Sequence, residues 1–259
     1  MLEEMVSRKR EELELVKQVT PAQELLRQLP KNSPASFQAA LNREDINIIA
    51  EIKYRSPSHG PFACQMDPVE VAKIYSEAGA VAISVLTEQH YFAGKLQFLE
   101  DIHGELPQMP LLRKDFILDY YQVLEARLKG ASAYLLIVSS LSVEELSSLI
   151  SSGQEHELDA LVEVHNLFEL DRAVSAGARV IGVNNRNLKT FEVNIGTSFD
   201  IARRLEGEDH YILVSESGIQ EHTQIAELKD AGFRAFLVGS VLMDASDPGE
   251  KLQGLKGQR

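Results

Sequence analysis

The sequence has no tryptophan, only one cysteine and no long apolar run. Cys64 has no partner with which to form a disulfide within the chain, which fits a reducing compartment. Residues 1–12 lack the apolar core of a secretory leader, and no stretch approaches the roughly 20 apolar residues that cross a bilayer. We therefore expect a cytoplasmic protein that has no membrane partner.

Basic residues are also scarce: 26 Lys and Arg stand against 39 Asp and Glu, which gives a net charge of −13. Proteins that bind nucleic acid normally carry a basic face, so we expect no nucleic-acid partner. A small anionic ligand is still compatible with this charge, because charges beyond a Debye length of about 8 Å are largely screened and a few local cations dominate.

Eight short apolar segments, rich in β-branched residues, recur about every 27 residues, the size of a strand, a helix and two turns. Several of the amphipathic stretches between them end at a Gly, which favours the left-handed conformation that closes a helix. The predicted helices are Pro68–Glu77, Tyr120–Lys129, Val143–Ser151, Leu167–Ser175 and Gln220–Asp230. The predicted strands are Ile48–Tyr54, Val81–Glu88, Pro110–Phe116, Ala133–Val138, Asp159–Val164, Val180–Asn185, Ile212–Ser217 and Ala235–Gly239.

Apolar strands that alternate with helices predict a parallel sheet covered by helices. Eight units favour an α/β fold of the closed (β/α)8 TIM-barrel type over an open doubly wound sheet, whose usual G-x-G-x-x-G motif is absent. We expect a single domain in which an N-terminal helical extension, residues 1–47, packs on a barrel of residues 48–259. Within the extension, the pattern predicts helices over Glu3–Val19 and Leu25–Leu29.

Polar side chains stand at the carboxyl ends of five predicted strands, where TIM barrels place their catalytic groups. Any one of them is more often an ordinary edge residue, but charges gathered at one rim need partners or a ligand. Arg113 and Asp115 flank Lys114, and the pattern leaves open which of the three faces the interior. The strand-end residues are Glu51, Lys53, Lys114, Glu163, Asn184, Asn185, Arg186, Ser215, Glu216 and Ser217.

Two Ser and Gly pairs indicate a phosphate site. Ser217-Gly218 follows the seventh predicted strand and Gly239-Ser240 ends the eighth, which is where TIM barrels commonly bind phosphate through backbone N–H groups. Ser56, in the loop after the first strand, adds a hydroxyl donor. The seven His residues show no metal-ligand spacing, so we expect no metal.

Seven ordered motifs at successive strand ends resemble the indole-3-glycerol phosphate synthases of tryptophan biosynthesis. The resemblance implies a single substrate, the anionic sugar phosphate 1-(2-carboxyphenylamino)-1-deoxyribulose 5-phosphate, and no cofactor or metal. Its ring closes, carbon dioxide leaves and then water leaves. The motifs are IAEIK with SPS (49–53, 56–58), SVLTE with YFAG (84–88, 91–94), LRKDFI (112–117), LVEVH (161–165), IGVNNRNL (181–188), VSESGI (214–219) and FLVGS (236–240).

The resemblance implies a division of the catalytic work among these residues. Lys114 would be the acid that activates the ribulose carbonyl, and Glu163 the base that removes a proton during dehydration. Lys53, held by Glu51, would orient the substrate and share the acid role, while Glu51 would help to expel the hydroxyl group. Glu216 and Ser217 would complete the catalytic rim.

The remaining residues implied by the resemblance would bind the substrate. Asn184 would hydrogen-bond the sugar oxygens, and Arg186 would neutralise either the carboxylate or the phosphate. Tyr54 and His59 depart from the residues that we expect of the family in the first loop. The walls of the aromatic-ring site would be Pro57, Phe92, Phe116, Leu135, Leu188 and Leu237, although ordinary barrel packing explains Leu135 and Leu237 equally well.

Three other functions are compatible with such a barrel. A Schiff-base aldolase for sugar phosphates would use Lys114 or Lys53 as an imine-forming amine. A phosphoribosylanthranilate isomerase would place a Cys at the end of the first strand, where this chain has Lys53. A non-catalytic phosphate-binding barrel would keep the Ser and Gly pairs but need neither Lys114 nor Glu163. We expect the protein to be a monomer.

Overall fold

The computed structural model describes residues 2–258, in which eight parallel strands form a closed barrel. Each strand pairs with its neighbours in the sequence, and the last strand closes the barrel by pairing with the first, with Ile48 opposite Phe236. The TIM-barrel prediction is confirmed. The strands are β1 (Asn47–Ile52), β2 (Ala82–Leu86), β3 (Leu111–Lys114), β4 (Ala133–Ile137), β5 (Asp159–Val164), β6 (Val180–Asn184), β7 (Ile212–Glu216) and β8 (Ala235–Val238).

Seven of the eight strands end one or two residues earlier than predicted, because the residues after them already belong to the loops. Strand β1 begins at Asn47, one residue before the predicted start of the barrel. The loop after β1 contains a further pair of two-residue strands, Arg55–Ser56 and Gly60–Pro61. These loops at the carboxyl ends of the strands carry the candidate site.

Helices surround the barrel and precede it. The predicted N-terminal helices are present as the first two, and the five predicted amphipathic stretches are the fourth, sixth, seventh, eighth and tenth helices. Five others lie outside the predicted set: the third, fifth, ninth, eleventh and twelfth. The helices are α1 (Leu2–Val19), α2 (Ala22–Gln28), α3 (Phe37–Leu41), α4 (Pro68–Glu77), α5 (Gln97–Glu105), α6 (Tyr120–Leu128), α7 (Val143–Glu155), α8 (Leu167–Ser175), α9 (Gly196–Arg204), α10 (His222–Asp230), α11 (Ser240–Met243) and α12 (Pro248–Leu255).

The amino end of the barrel is closed by α3. Phe37 and Leu41 are fully buried there and pack against inward-facing strand residues such as Ile49. The side-chain amide of Asn47 donates hydrogen bonds to the carbonyl oxygens of Leu41 and Arg234, at 2.9 Å each. These contacts fasten α3 to β1 and leave only the carboxyl end open.

Helix α1 lies against the loops at that open end. The ammonium group of Lys9 is 3.0 Å from a carboxylate oxygen of Asp115, which follows β3. Glu12 pairs with His90 in the loop after β2, at 2.7 Å. The helix therefore packs beside the strand ends, with Met5 buried among barrel residues.

None of the helices within residues 2–258 combines the length and the apolar character needed to cross a membrane. The same range holds no group of three or more His, Cys, Asp and Glu side chains arranged to hold a metal ion.

Candidate active site

The loops at the carboxyl end of the barrel enclose a cavity of about 1100 Å³. All eighteen residues to which the sequence analysis gives a catalytic or binding role line this one cavity: Glu51, Lys53, Ser56, Pro57, Phe92, Lys114, Phe116, Leu135, Glu163, Asn184, Arg186, Leu188, Glu216, Ser217, Gly218, Leu237, Gly239 and Ser240. The parallel topology explains this convergence, because it brings every strand end to the same rim.

Lys114 lies at the centre of the charged groups. Its ammonium nitrogen is 2.5 Å from Glu216, 3.7 Å from Glu51 and 3.9 Å from Glu163. Burial would lower the pKa of Lys114, but these three carboxylates outweigh it and raise the pKa above its usual value. Lys114 is therefore a fully protonated, positioned acid at neutral pH.

The two residues that flank Lys114 in the sequence pair with groups outside this charged centre. The guanidinium group of Arg113 donates hydrogen bonds to the backbone oxygen of Gln122 and to Glu125 on α6. Asp115 accepts a hydrogen bond from the hydroxyl of Thr87. The orientation that the sequence leaves open is thus settled: Lys114 faces the interior.

Glu51 and Lys53 form a second pair on the wall of the cavity. The ammonium group of Lys53 donates a 2.5 Å hydrogen bond to the carboxylate of Glu51. Burial would raise the pKa of Glu51, but Lys53 and Lys114 outweigh it and hold that pKa below its usual value. Glu51 therefore stays ionised between two ammonium groups.

Glu163 and Glu216 titrate in opposite directions. Burial, which would raise the pKa of Glu163, is outweighed by His165 and Lys114, so that this pKa falls to about 2. Burial raises the pKa of Glu216 to about 7, because Glu163 and Glu51 repel its charge and offset the attraction of Lys114. Three carboxylates share one central ammonium, and Glu216 is the one that takes up a proton most readily.

Two glycines make room for the carboxylates. A Cβ atom on Gly182 of β6 would lie 2.2 Å from Oε1 of Glu216, and one on Gly239 would lie 2.4 Å from Oε1 of Glu51. That oxygen of Glu216 has no hydrogen-bond partner within the described chain. A buried acceptor without a partner at the cavity is a place where a ligand can donate.

The loop after β7 holds a strained backbone. Ser217 has a φ of +65° and is followed by Gly218 at +88°. The left-handed conformation costs a residue with a side chain of the order of 1 kcal/mol and concentrates at functional sites. A Cβ on Gly218 would also lie 2.5 Å from Val193, so this turn packs closely against the loop after β6.

Asn184 and Arg186 arrange the loop after β6. The side-chain oxygen of Asn184 accepts a 3.0 Å hydrogen bond from the backbone N–H of Arg186. The guanidinium group of Arg186 donates to the backbone oxygen of Phe191 and lines the cavity. Asn185 and Ser215 do not line it: they hydrogen-bond each other on the side of the sheet that faces α9.

The apolar wall contains the six side chains that the sequence analysis assigns to it. Phe92 and Phe116 face each other with ring centroids 6.5 Å apart and planes inclined by 52°. Helix α1 adds Leu2 and Met5 to this wall.

A family model described as indole-3-glycerol phosphate synthase matches residues 2–255. The indole-3-glycerol phosphate synthase of Carboxydothermus hydrogenoformans is 43% identical over 262 residues, which cover 98% of this chain and 98% of that protein. That of Roseiflexus castenholzii is 42% identical over 265 residues, which cover 100% of this chain and 98% of that protein.

This chain belongs to the indole-3-glycerol phosphate synthase family. It is a carboxy-lyase of tryptophan biosynthesis, and the family predicted from the seven motifs is confirmed. The solved structure of 3-hexulose-6-phosphate synthase from Salmonella typhimurium matches with a TM-score of 0.64 at 14% identity, covering 82% of this chain and 97% of that one. A likeness at that identity shows the barrel fold alone.

Two features of this indole-3-glycerol phosphate synthase site lie outside the sequence analysis. One is the contribution of Leu2 and Met5, which depends on how α1 packs across the barrel mouth. The other is His165, which appears in a family motif without a role. Its ring lies between Glu163 and Glu169. The sequence signal for this contact is the spacing of four residues between His165 and Glu169 at the start of a helix.

Proposed function

We propose that the charged cluster of Glu51, Lys53, Lys114, Glu163 and Glu216 converts 1-(2-carboxyphenylamino)-1-deoxyribulose 5-phosphate to indole-3-glycerol phosphate. The observation that carries the proposal is the position of Lys114, whose ammonium group lies within 4.0 Å of three carboxylates in the cavity. This arrangement places a positioned proton donor next to several acceptors, which is what successive acid and base steps need.

Ring closure uses Lys114 as the acid. The aryl carbon that bears the carboxylate attacks C2 of the ribulose chain, a carbon–carbon bond forms, and Lys114 gives its proton to the carbonyl oxygen. The bond to the carboxylate then breaks, its electrons restore the aromatic ring and carbon dioxide leaves. Stabilising the charge that develops on the carbonyl oxygen is the main contribution of the site.

Dehydration needs a base and a second proton donor. Glu163, ionised and 3% exposed, takes the proton from C1 of the former ribulose chain. Lys53 protonates the departing hydroxyl group, helped by Glu51, which is hydrogen-bonded to it at 2.5 Å. Water leaves, and the carbon–carbon double bond completes the indole ring.

The loops bind the two ends of the substrate. Backbone N–H groups at Gly218, Gly239 and Ser240 hold the phosphate, with the hydroxyl groups of Ser217 and Ser56 beside them. Asn184 hydrogen-bonds the sugar oxygens and Arg186 neutralises an anionic end. The aromatic ring lies between the apolar side chains Pro57, Phe92, Phe116, Leu135, Leu188 and Leu237.

The absence of tryptophan from the sequence gives a direct test. Adding the substrate to the enzyme should produce indole fluorescence against no protein tryptophan background, and the signal should need Lys114. If a Lys114→Ala variant developed the same fluorescence at the same rate, the proposed acid role would be wrong.

The aldolase alternative requires a neutral amine, whereas three carboxylates raise the pKa of Lys114. Borohydride reduction in the presence of substrate should therefore leave Lys114 unmodified. Lys53, which is paired with Glu51 at 2.5 Å, should also form no adduct. A stable adduct on either lysine would favour the aldolase instead.

We also propose that the enzyme acts in the cytoplasm, a reducing compartment that suits its single free cysteine. We propose further that it is a monomer, since one chain lines the whole cavity. Size-exclusion chromatography with light scattering should give the mass of one chain, 28.8 kDa.

A further inference from the structure

His165 lies between two carboxylates at the start of α8. Its Nε2 atom is 3.2 Å from Oε1 of Glu163 on β5, and its Nδ1 atom is 2.9 Å from Oε2 of Glu169 on α8. A neutral imidazole would turn an unshared electron pair of one ring nitrogen toward an anion. At Nε2 the contact with Glu163 is an ion-pair distance and not an aligned hydrogen bond. The doubly protonated ring suits both carboxylate neighbours, so the geometry favours an imidazolium.

The outer carboxylate is itself held in place. Glu169 accepts a 2.9 Å hydrogen bond from the backbone N–H of His165 and a 3.2 Å hydrogen bond from the side-chain amide of Asn166. In return, Asn166 accepts a hydrogen bond from the backbone N–H of Glu169 at 2.9 Å. These bonds form the N-terminal cap of α8 and fix the position of the His165 ring.

Glu163 needs a second cation. Lys114 approaches its Oε2 atom at 3.9 Å but is much closer to Glu216, at 2.5 Å. Among the cationic groups of residues 2–258, His165 alone lies within ion-pair distance of the other oxygen of Glu163. Without that ring, a carboxylate with 3% exposure would lie beside Glu216 and Glu51 with one distant and shared ammonium group.

We propose that His165, held as an imidazolium by Glu169, is a positioning residue that keeps Glu163 ionised and aimed into the cavity. This inference rests on the proposed role of Glu163 as the base. His165 does not line the cavity, so it acts through Glu163 and not on the substrate.

The charged groups around His165 support this assignment. Burial would lower its pKa, but the carboxylates of Glu163 and Glu169 outweigh burial and raise the pKa to about 10. Arg172 on α8 is directed away, toward the backbone oxygens of Val138 and Leu141. Glu163, His165 and Glu169 form a linear array, and Lys114 on β3 contacts this array through Glu163.

The kinetic experiment replaces the ring by a neutral donor. In His165→Gln, Glu163 loses its second cation and binds a proton more readily, so that the ionised base becomes scarcer at low pH. We expect the loss of kcat relative to the native enzyme to be about tenfold larger at pH 5.5 than at pH 8.5, with KM changed less than about twofold. Glu169→Gln should show the same trend to a smaller extent.

His156→Gln is the matched control, since His156 is half-buried and hydrogen-bonded to Tyr120, outside the cavity. It should leave the pH profile unchanged. A loss of kcat in His165→Gln that is equal at both pH values would indicate a merely structural role and overturn the proposal.

A spectroscopic arm does not depend on the variants folding or on catalysis. In the native enzyme, the NMR signals of the His165 ring should stay those of an imidazolium from pH 5 to pH 8.5. A ring that loses its proton near pH 6.5 would overturn the inference. If instead Glu163→Gln kept full activity while the ring stayed charged, the base role of Glu163 would fail and the array itself would stand.

Discussion

The two ends of the barrel use the same eight strands for opposite purposes. At the amino end, α3 closes the interior with Phe37 and Leu41, both at 0% exposure, and the strand residues around them are apolar. At the carboxyl end, the interior holds Lys114 and three buried carboxylates around it. One end therefore stabilises the fold, whereas the other concentrates buried charges that cost free energy.

Apolar residues at the amino end contribute to stability, whereas the charged residues at the carboxyl end could be replaced by apolar ones without loss of stability. A buried ion cluster is often no more stable than apolar side chains of the same size. The cluster lies at the carboxyl end alone, which indicates that it serves catalysis and not stability. Substitutions at the two ends should consequently divide into losses of rate and losses of stability.

Lys114→Ala should give the largest effect. Removing the acid that we propose for the carbonyl oxygen should lower kcat by about 10⁴-fold, while a substrate analogue should still bind. Steady-state kinetics and calorimetric titration measure the two quantities. Lys73→Ala, at an exposed ion pair on α4, controls for loss of an ammonium group and should retain full activity. If Lys114→Ala and Lys73→Ala had comparable kcat values, the carboxyl end would not be specialised for catalysis.

Phe37→Ala should show the opposite behaviour at the amino end. The fully buried ring leaves a cavity under the barrel, and the free energy of unfolding should fall by about 3–5 kcal/mol. Chemical denaturation measures this loss, and kcat per folded molecule should stay unchanged. Phe168→Ala, at a ring that is 73% exposed on α8, should cost much less. A large fall in kcat without a fall in stability would contradict the division between the ends.

Much of this architecture could be predicted from the sequence, because strands that are buried on both faces are almost continuously apolar. The helices that were missed lack such a signal. Helix α5 begins after Leu96 without a side-chain cap, and α9 begins at Gly196 after an equally uncapped residue. Helix α12 begins with a capping Asp247 and Pro248, but its two glycines weaken the helical pattern. The positions of α5 and α9 are set by packing on the barrel and not by a cap.

The location of the site was predictable for a topological reason: polar residues at the ends of parallel strands must meet at one rim. The orientation of Lys114 relative to Arg113 was not, since it depends on the pairing of β3 with both neighbours. The contribution of Met5 was hidden too, because it depends on a contact between α1 and residues more than 100 positions away.

Glu163→Gln compares the two ends of a single strand. Removing the proposed base should lower kcat by at least about 100-fold, because the amide is nearly isosteric but cannot accept the proton. Asp159→Asn, at the amino end of β5, is the matched control. It should weaken the hydrogen bond from the backbone N–H of Gln38, at 3.0 Å, and lower stability while leaving kcat unchanged. An unaltered rate in Glu163→Gln would assign the base to another residue.

Glu216→Gln should give the smallest of the four effects. The change should be visible in how the free energy of unfolding depends on pH. The pKa of Glu216 is raised to about 7 by burial, above its usual value of 4.5. Between these two pKa values the folded state holds a proton that the unfolded state has lost. The protonated carboxyl therefore contributes to the free energy of unfolding at low pH, and this contribution is lost as the pH rises from 4.5 through 7. The variant should gain stability relative to the native enzyme over that window, by about 2–3 kcal/mol at most.

Urea denaturation of both proteins at pH 5 and pH 8 measures the difference. Glu206→Gln, at an exposed residue outside the cavity, controls for the loss of one carboxylate. The remaining partners of Lys114, Glu51 and Glu163, keep that ammonium group paired in the variant. If the difference in stability were the same at both pH values, the charges at the carboxyl end would not compete for one cation. The contrast between a costly end and a stabilising end would then lose its electrostatic basis.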